Sequence, residues 1–554
     1  MQQLVDLFGF FSVVLRAGTL VFQSLVLGGI FFVVWTARSR PDLPQESMER
    51  VHSTSWTLLR IGAIGLAVVQ VLYLFVDSSV LMTTAEIPFS GVVGASFFVA
   101  GSIILGSATL TAIVAGRNRR FARYALPVLA VVILAASLMT DHAVSRMENR
   151  PYLVAITTIH VLATGLWIGG LPFLMLSLFR ARDLTTRWYI TERFSRSALF
   201  SVGALALSGL ALSFSYIGSV QEILGTAYGV MVSAKALMLA GLLVLGGVNF
   251  FLLRGGDDDD VMPRLRRLVE VEVGIGITVI LTAASLTSQP PAIDQPNDTV
   301  TPHQIAARWK PVWPRLGYPD AVLAENAAVA QGTAQGKTQD TAQPSSAQPV
   351  PPAYDIDGVA LSWQRIASAA ESESNHHWMG IVVLAMGLLA LLARTGKAPW
   401  AEYWPLLLIS IAMFIFIRAD TESWPVGPQG FWACWLKPEV FQHRVAALVC
   451  IGFAFFELRV RRQEHANSSM ALVFPLMCAL GGALLLTHSH PIINVKENLL
   501  VELNHVPMGV FAVFAGWARW LEIRLPAKDR GIPAWIWPVC FVLIGASLLN
   551  YREA

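Results

Sequence analysis

Charge is what this chain has least of: only 14% of its residues are Asp, Glu, Lys or Arg, against 55% hydrophobic ones. With a mean hydropathy of +0.56 and repeated apolar runs near the ~20 residues that cross a bilayer as a helix, the composition excludes an ordinary soluble domain. The formal net charge of +3 is too small to argue for a nucleic-acid partner. Cysteine is scarce as well. The four present (Cys434, Cys450, Cys478 and Cys540) form no CxxC, and three fall inside expected spans, so no redox or zinc framework follows. No Walker sequence and no CxxC metal motif is found, which argues against an ATP-driven metal pump. The start, Met1-Gln2-Gln3-Leu4-Val5-Asp6, lacks a basic n-region, and the first apolar run is expected to be a retained span.

What is present reads as an all-α, polytopic helical bundle of about fourteen spans, eight and six around a long loop. The first eight are expected near 8–36, 57–76, 92–116, 123–142, 152–180, 194–216, 227–254 and 267–288. The other six fall near 376–394, 403–418, 440–460, 468–488, 500–521 and 533–550. This gives a first transmembrane domain over 1–288, a loop rich in Ala, Gln, Pro, Ser and Thr over 289–375, and a second transmembrane domain over 376–554. Within the loop, a short helix is expected near Gly358–Ala370. Basic residues alternate between loops: Arg38, Arg40 and Arg50; Arg117, Arg119 and Arg120; Arg180, Arg182, Arg187 and Arg193; Arg264, Arg266 and Arg267. Arg394 and Lys397, then Arg459, Arg461 and Arg462, then Arg524, Lys528 and Arg530 continue the pattern. Such loops stay cytoplasmic, so both termini and the long loop are expected outside.

On that topology nine of the 11 histidines belong to the outer side, and only His52 and His465 to the inner. His488 and His490 flank Ser489 just before Pro491, where a chain unwinding from its helix turns both rings to one side. His376, His377, His443 and His505 also stand at span ends. Glu502 lies three residues before His505 and Glu439 four before His443, spacings at which a carboxylate orients an imidazole or ligates beside it. Met508 adds a thioether three residues after His505, although a Met in an apolar helix usually serves packing. Taken singly, each of these histidines is as well explained by a hydrogen bond at the membrane interface. As a set they suggest a metal site, and imidazole with optional thioether suits copper better than magnesium or calcium. A haem b held by two histidines from different helices is the competing cofactor. In the first half, Asp141 with His142, and His160, are candidates for a separate site, whereas Lys235, Glu270 and Glu272 suit structural pairing better.

From His160 the sequence runs His160-Val-Leu-Ala-Thr164-Gly-Leu-Trp167-Ile-Gly169-Gly170-Leu-Pro172, with His160, Thr164 and Trp167 on one helical face and a glycine pair that admits a close neighbour. It continues through Arg193-Phe194-Ser195, Ser208-Gly209 and Thr226-Ala-Tyr228-Gly229 to Lys235. At these residues the chain resembles the copper resistance protein D family of bacterial inner-membrane proteins, most clearly over about 150–290. The resemblance implies a multi-pass protein of the inner membrane that handles copper, by uptake or delivery, in partnership with a small periplasmic copper carrier. The long loop and the six-span second half depart from the simplest members. They leave a haem-b electron carrier, or an oxidase-assembly scaffold without metal, as alternatives, and no enzymatic reaction is implied. The expected copper ligands are His376, His377, His443, His488, His490 and His505, with Glu502 and Glu439 as ligands or orienting groups. His142 and His160 would form a second site.

Overall fold

A computed structural model describes residues 8–116, 119–255, 260–295, 298–317, 363–418, 423–435, 438–462, 469–487 and 495–553. Its elements are helical throughout, with a single isolated bridge between Ser423 and Gln429 among the described residues. Among the described residues thirteen helices are long and apolar enough to cross a membrane. The 25-residue helix Pro438–Arg462 covers the remaining expected span, at 440–460. The protein is therefore a multi-pass membrane protein. The chain divides into two compact units, one of Met1–Ile223, Ala227–Asn297 and Ala483–Pro491, the other of Leu224–Thr226, Asp298–Gly482 and Ile492–Ala554.

The first unit contains α1 (Phe8–Phe31), α2 (Gln45–Thr84), α3 (Ser96–Ala115), α4 (Arg119–Leu138), α5 (Arg150–Trp167), α6 (Leu171–Arg180), α7 (Leu184–Tyr216), α8 (Ala227–Arg254) and α9 (Val261–Thr287). The span expected over 152–180 is two helices, α5 and α6, that meet at Gly169-Gly170. Pro172 lacks an N–H and is accommodated only in the first turn of a new helix, which is where it stands. The glycine pair serves a close crossing. A Cβ on Gly169 would lie 1.8 Å from the Ser24 carbonyl oxygen of α1, and one on Gly28 would lie 2.3 Å from the Gly169 backbone. Away from such crossings, large apolar side chains such as Phe200, Leu207 and Phe214 of α7 are exposed, as a lipid-facing surface permits.

The second unit contains α10 (Pro302–Trp309), α11 (Trp363–Arg394), α12 (Leu407–Arg418), α13 (Pro438–Arg462), α14 (Val473–Thr487, whose last turn groups with the first unit), α15 (Val495–Arg524) and α16 (Gly531–Leu549). Parts of the expected 289–375 linker are structured. A Thr301/Gln304 capping box starts α10, satisfying N–H groups that a helix start otherwise leaves unpaired. The short helix expected near 358–370 becomes the first turns of α11 from Trp363 onward, and residues 318–362 lie outside the described set. Gly380 and Gly387 of α11 and Gly545 of α16 bring those two helices into backbone contact. Around them Trp404, Phe474, Trp537 and Phe541 pack as one aromatic cluster.

Candidate metal centre

The second unit brings two of the sequence-selected histidines together. His376 of α11 and His505 of α15 meet edge to face, ring centroids 5.9 Å apart and planes at 86°. In each ring Nδ1 lies within hydrogen-bond distance of a carbonyl one helical turn back: Ser372 at 2.7 Å for His376 and Val501 at 3.0 Å for His505. A carbonyl only accepts, so Nδ1 must carry the proton, and Nε2 becomes the basic nitrogen of both imidazoles. That is the tautomer a metal-ligating histidine uses, held by the kind of partner that orients such ligands.

Tyr551 completes the cluster. Its ring stacks on His376 at 3.8 Å and meets His505 edge to face at 5.5 Å. Its hydroxyl donates to the Glu553 carboxylate at 2.7 Å, and Ser372 Oγ donates to the same oxygen at 2.7 Å. Burial first, then the adjacent Glu553 carboxylate that accepts its proton, push the Tyr551 phenol far above the ordinary tyrosine range. It therefore stays protonated and acts as a neutral plate that fixes the His376 ring.

The strand of backbone carrying Tyr551 is itself held by the structured part of the loop. Arg308 of α10 donates to the carbonyls of Arg552 and Glu553, and the Glu553 N–H donates to Glu373 at 3.1 Å. His377 belongs to this clamp. Its Nε2 donates to the Tyr551 carbonyl at 2.9 Å and its Nδ1 accepts from the Arg315 N–H at 2.9 Å, so both nitrogens are engaged by backbone. Adjacent residues on a helix point about 100° apart, which is why His376 and His377 divide into a cluster member and a structural pin.

Glu502 and Met508 are buried on α15 near His505, and His443 is half-buried on α13. His488, His490 and the Glu439 side chain lie outside the described residues. Among the described residues no three His, Cys, Asp or Glu side chains are grouped to hold a metal ion. In the first unit, the Asp141 carboxylate caps a short helical turn by accepting from the Ala143 N–H at 2.9 Å, and His142 Nε2 donates to the Thr287 carbonyl at 3.2 Å. His160 Nδ1 lies 3.1 Å from Ser208 Oγ. That hydroxyl gives its own proton to the Leu205 carbonyl, so it accepts from His160. Gly209 leaves room for the ring, since a Cβ there would lie 3.4 Å from His160 Cε1. Lys235 of α8 is within electrostatic reach of His160, and an ammonium there repels a metal cation.

Sequence reading missed Tyr551, Glu553, Ser372 and Arg308. The available signal was a tyrosine just beyond the last span, the usual place of an interfacial aromatic, and a serine one turn before His376.

Comparison with known proteins bears on the first unit. Residues 188–286 match the family described as copper resistance protein D. The copper transport protein CutJ of Bacillus subtilis (strain 168) is 31% identical over 192 residues, which is 34% of this chain and 35% of that protein. The chain thus spans about a third of the length of the curated relative it matches. No solved structure matches. The matched segment from 188 to 286 takes in most of α7, all of α8 and most of α9, and over it the chain is similar to the copper resistance protein D family.

Proposed function

We propose that this protein handles copper at the outer face of a bacterial inner membrane, taking it up or delivering it, with His376 and His505 supplying two nitrogen ligands. Support for the metal comes from the family of the first unit and from the relative named a copper transport protein. Support for the site comes from one observation: two imidazoles from helices distant in sequence stand side by side, with both Nδ1 atoms committed to carbonyls. His488 and His490, with Glu502 and His443, are the sequence-selected groups from which the rest of the coordination would be drawn. Both termini lie outside on this reading, and a soluble periplasmic copper carrier is the expected partner. A haem b fits less well, because rings in edge-to-face contact leave no flat slot between them for a porphyrin.

The test is elemental analysis with an absorption spectrum of the purified protein. Copper is expected without a Soret band. Removing an oriented ligand should cost at least as much as removing its orienting partner, about 10–100-fold in affinity, so His376→Ala and His505→Ala should each lose most of the bound copper. His303→Ala, which alters an exposed imidazole on α10, should retain it. Equal copper in all four proteins removes the pair from the site, and a Soret band without copper replaces the reading with the haem one.

A further inference from the structure

The first unit contains a polar chamber that copper chemistry does not use. A small cavity of about 40 Å³ lies among α1, α2, α3 and α4 and is lined by Thr19, Gln23, Gln70, Ser137 and Asp141 together with Arg16 and Tyr73. Gln23 and Gln70 are each only 2% exposed. Their amide nitrogens are accounted for: Gln23 Nε2 donates to Ser137 Oγ at 3.1 Å and Gln70 Nε2 to Thr19 Oγ1 at 3.2 Å. The Ser137 hydroxyl already gives its proton to the Leu134 carbonyl at 2.8 Å, so it can only accept, and the orientation of the Gln23 amide is fixed. Gln23 Oε1 is thereby a buried acceptor with no donor, and Gln70 Oε1, opposite the amide nitrogen that meets Thr19, is another. Gly101 of α3 makes the space for one of them, since a Cβ there would sit 3.2 Å from Gln70 Oε1.

Buried carbonyl-type oxygens left without donors are costly, and since both belong to residues that line one cavity, they call for a guest that supplies positive charge or protons. The charge balance narrows the choice. The two charged residues of the lining, Arg16 and Asp141, are of opposite sign, so the chamber carries no net charge of its own. An anion is disfavoured by the acceptor lining. A divalent cation wants more carboxylate than one. Copper wants imidazole or sulfur, and neither lines the chamber.

We propose that this chamber is a binding site for a monovalent alkali cation, held by Gln23 Oε1 and Gln70 Oε1 with neighbouring hydroxyl oxygens and retained water. The site lies at the end of the bundle that carries Ser137 to Asp141, away from the Arg-rich turn that starts α4. It gives the first unit a cation dependence separate from the histidine pair of the second.

Radiolabelled sodium, and separately rubidium, would be titrated onto the full-length protein in nanodiscs, alongside Gln23→Leu and Gln70→Leu. An oxygen contact to a charged group contributes about 1.5–3 kcal/mol, which is about tenfold or more in affinity. Saturable binding near one ion per chain is expected for the parent protein with at least one of the two ions, weakened tenfold or more in both variants. Leucine fills the glutamine volume without leaving an unmatched oxygen, so both variants should keep the parent's thermal midpoint in choline buffer; a variant that fails this check is replaced by Gly101→Ala, whose Cβ presses on Gln70 Oε1 and on the movable end of the Leu74 side chain. Absence of saturable binding, as for a chamber that holds water only, or equal binding in parent and folded variants, overturns the proposal.

Discussion

Glu457→Ala is expected to cost the second unit about 3–5 kcal/mol, the range for removing one partner of a fully buried ion pair. Glu457 of α13 is 0% exposed and accepts from Arg461 Nε at 3.2 Å and Arg519 Nη2 at 3.0 Å. Arg519 of α15 also pairs with Glu522 at 2.7 Å. Glu522 in turn receives Trp537 Nε1 of α16 at 2.6 Å and forms an ion pair with Arg394 of α11. Three guanidiniums and two carboxylates thus bind four helices to one another, with Arg461 further stacked over Trp404 at 4.9 Å. Deleting Glu457 leaves the largely buried Arg461 and Arg519 with Glu522 as the one carboxylate of the network, which Arg394 also engages. Neither protein nor lipid there offers water to solvate the excess. The thermal midpoint of the detergent-solubilised protein should fall by on the order of 10 °C, at roughly 2–4 °C per kcal/mol for a unit of this size. Glu192→Ala is the matched control. It breaks the Arg196–Glu192 pair, whose side chains are 74% and 61% exposed, and exposed pairs contribute about 0–1 kcal/mol. If the two substitutions shift the midpoint equally, the network is not what holds these helices.

The spans were legible because hydrocarbon imposes one requirement on any crossing segment, a long apolar run with its backbone paired internally, and that requirement is written residue by residue. The glycine pair at 169–170 was legible for a related reason, since two adjacent residues without side chains inside such a run mark a close approach. Histidine roles were not legible. The partners that decide them, Val501 for His505, Tyr551 for His377, Thr287 for His142 and Ser208 for His160, are backbone carbonyls or a hydroxyl, and three of the four are remote in sequence. Nothing in the spelling of His376-His377 tells which ring turns toward α15. The break between α5 and α6 was readable from Pro172, whose missing N–H marks a helix start more readily than a helix interior.

Gly169→Val should be comparably damaging in the first unit, and for a steric reason alone. The glycine's backbone needs no left-handed conformation, so the penalty is one of room. A Cβ at this position would fall 1.8 Å from the Ser24 carbonyl oxygen and 2.4 Å from its carbon, and both are backbone atoms that no rotamer change can move. Helix α1 cannot retreat locally either. Four residues on, Gly28 is pressed against the backbone of Gly165, Gly169 and Gly170 from the other side of the same crossing. Relief therefore requires the two helices to separate along a full turn, at the upper end of the about 1–3 kcal/mol typical of overpacking or beyond it. Gly203→Ala gives the opposite sign. A Cβ there meets nothing within 4 Å, so the interior of α7 should gain about 0.5–1 kcal/mol of helix propensity. Thermal midpoints of the two variants moving apart, Gly169→Val down and Gly203→Ala level or up, would show that the first unit's crossing depends on backbone contact. Parallel shifts would show instead that any added side chain disturbs this bundle, and the close approach of α1 to the α5–α6 junction would lose its structural weight.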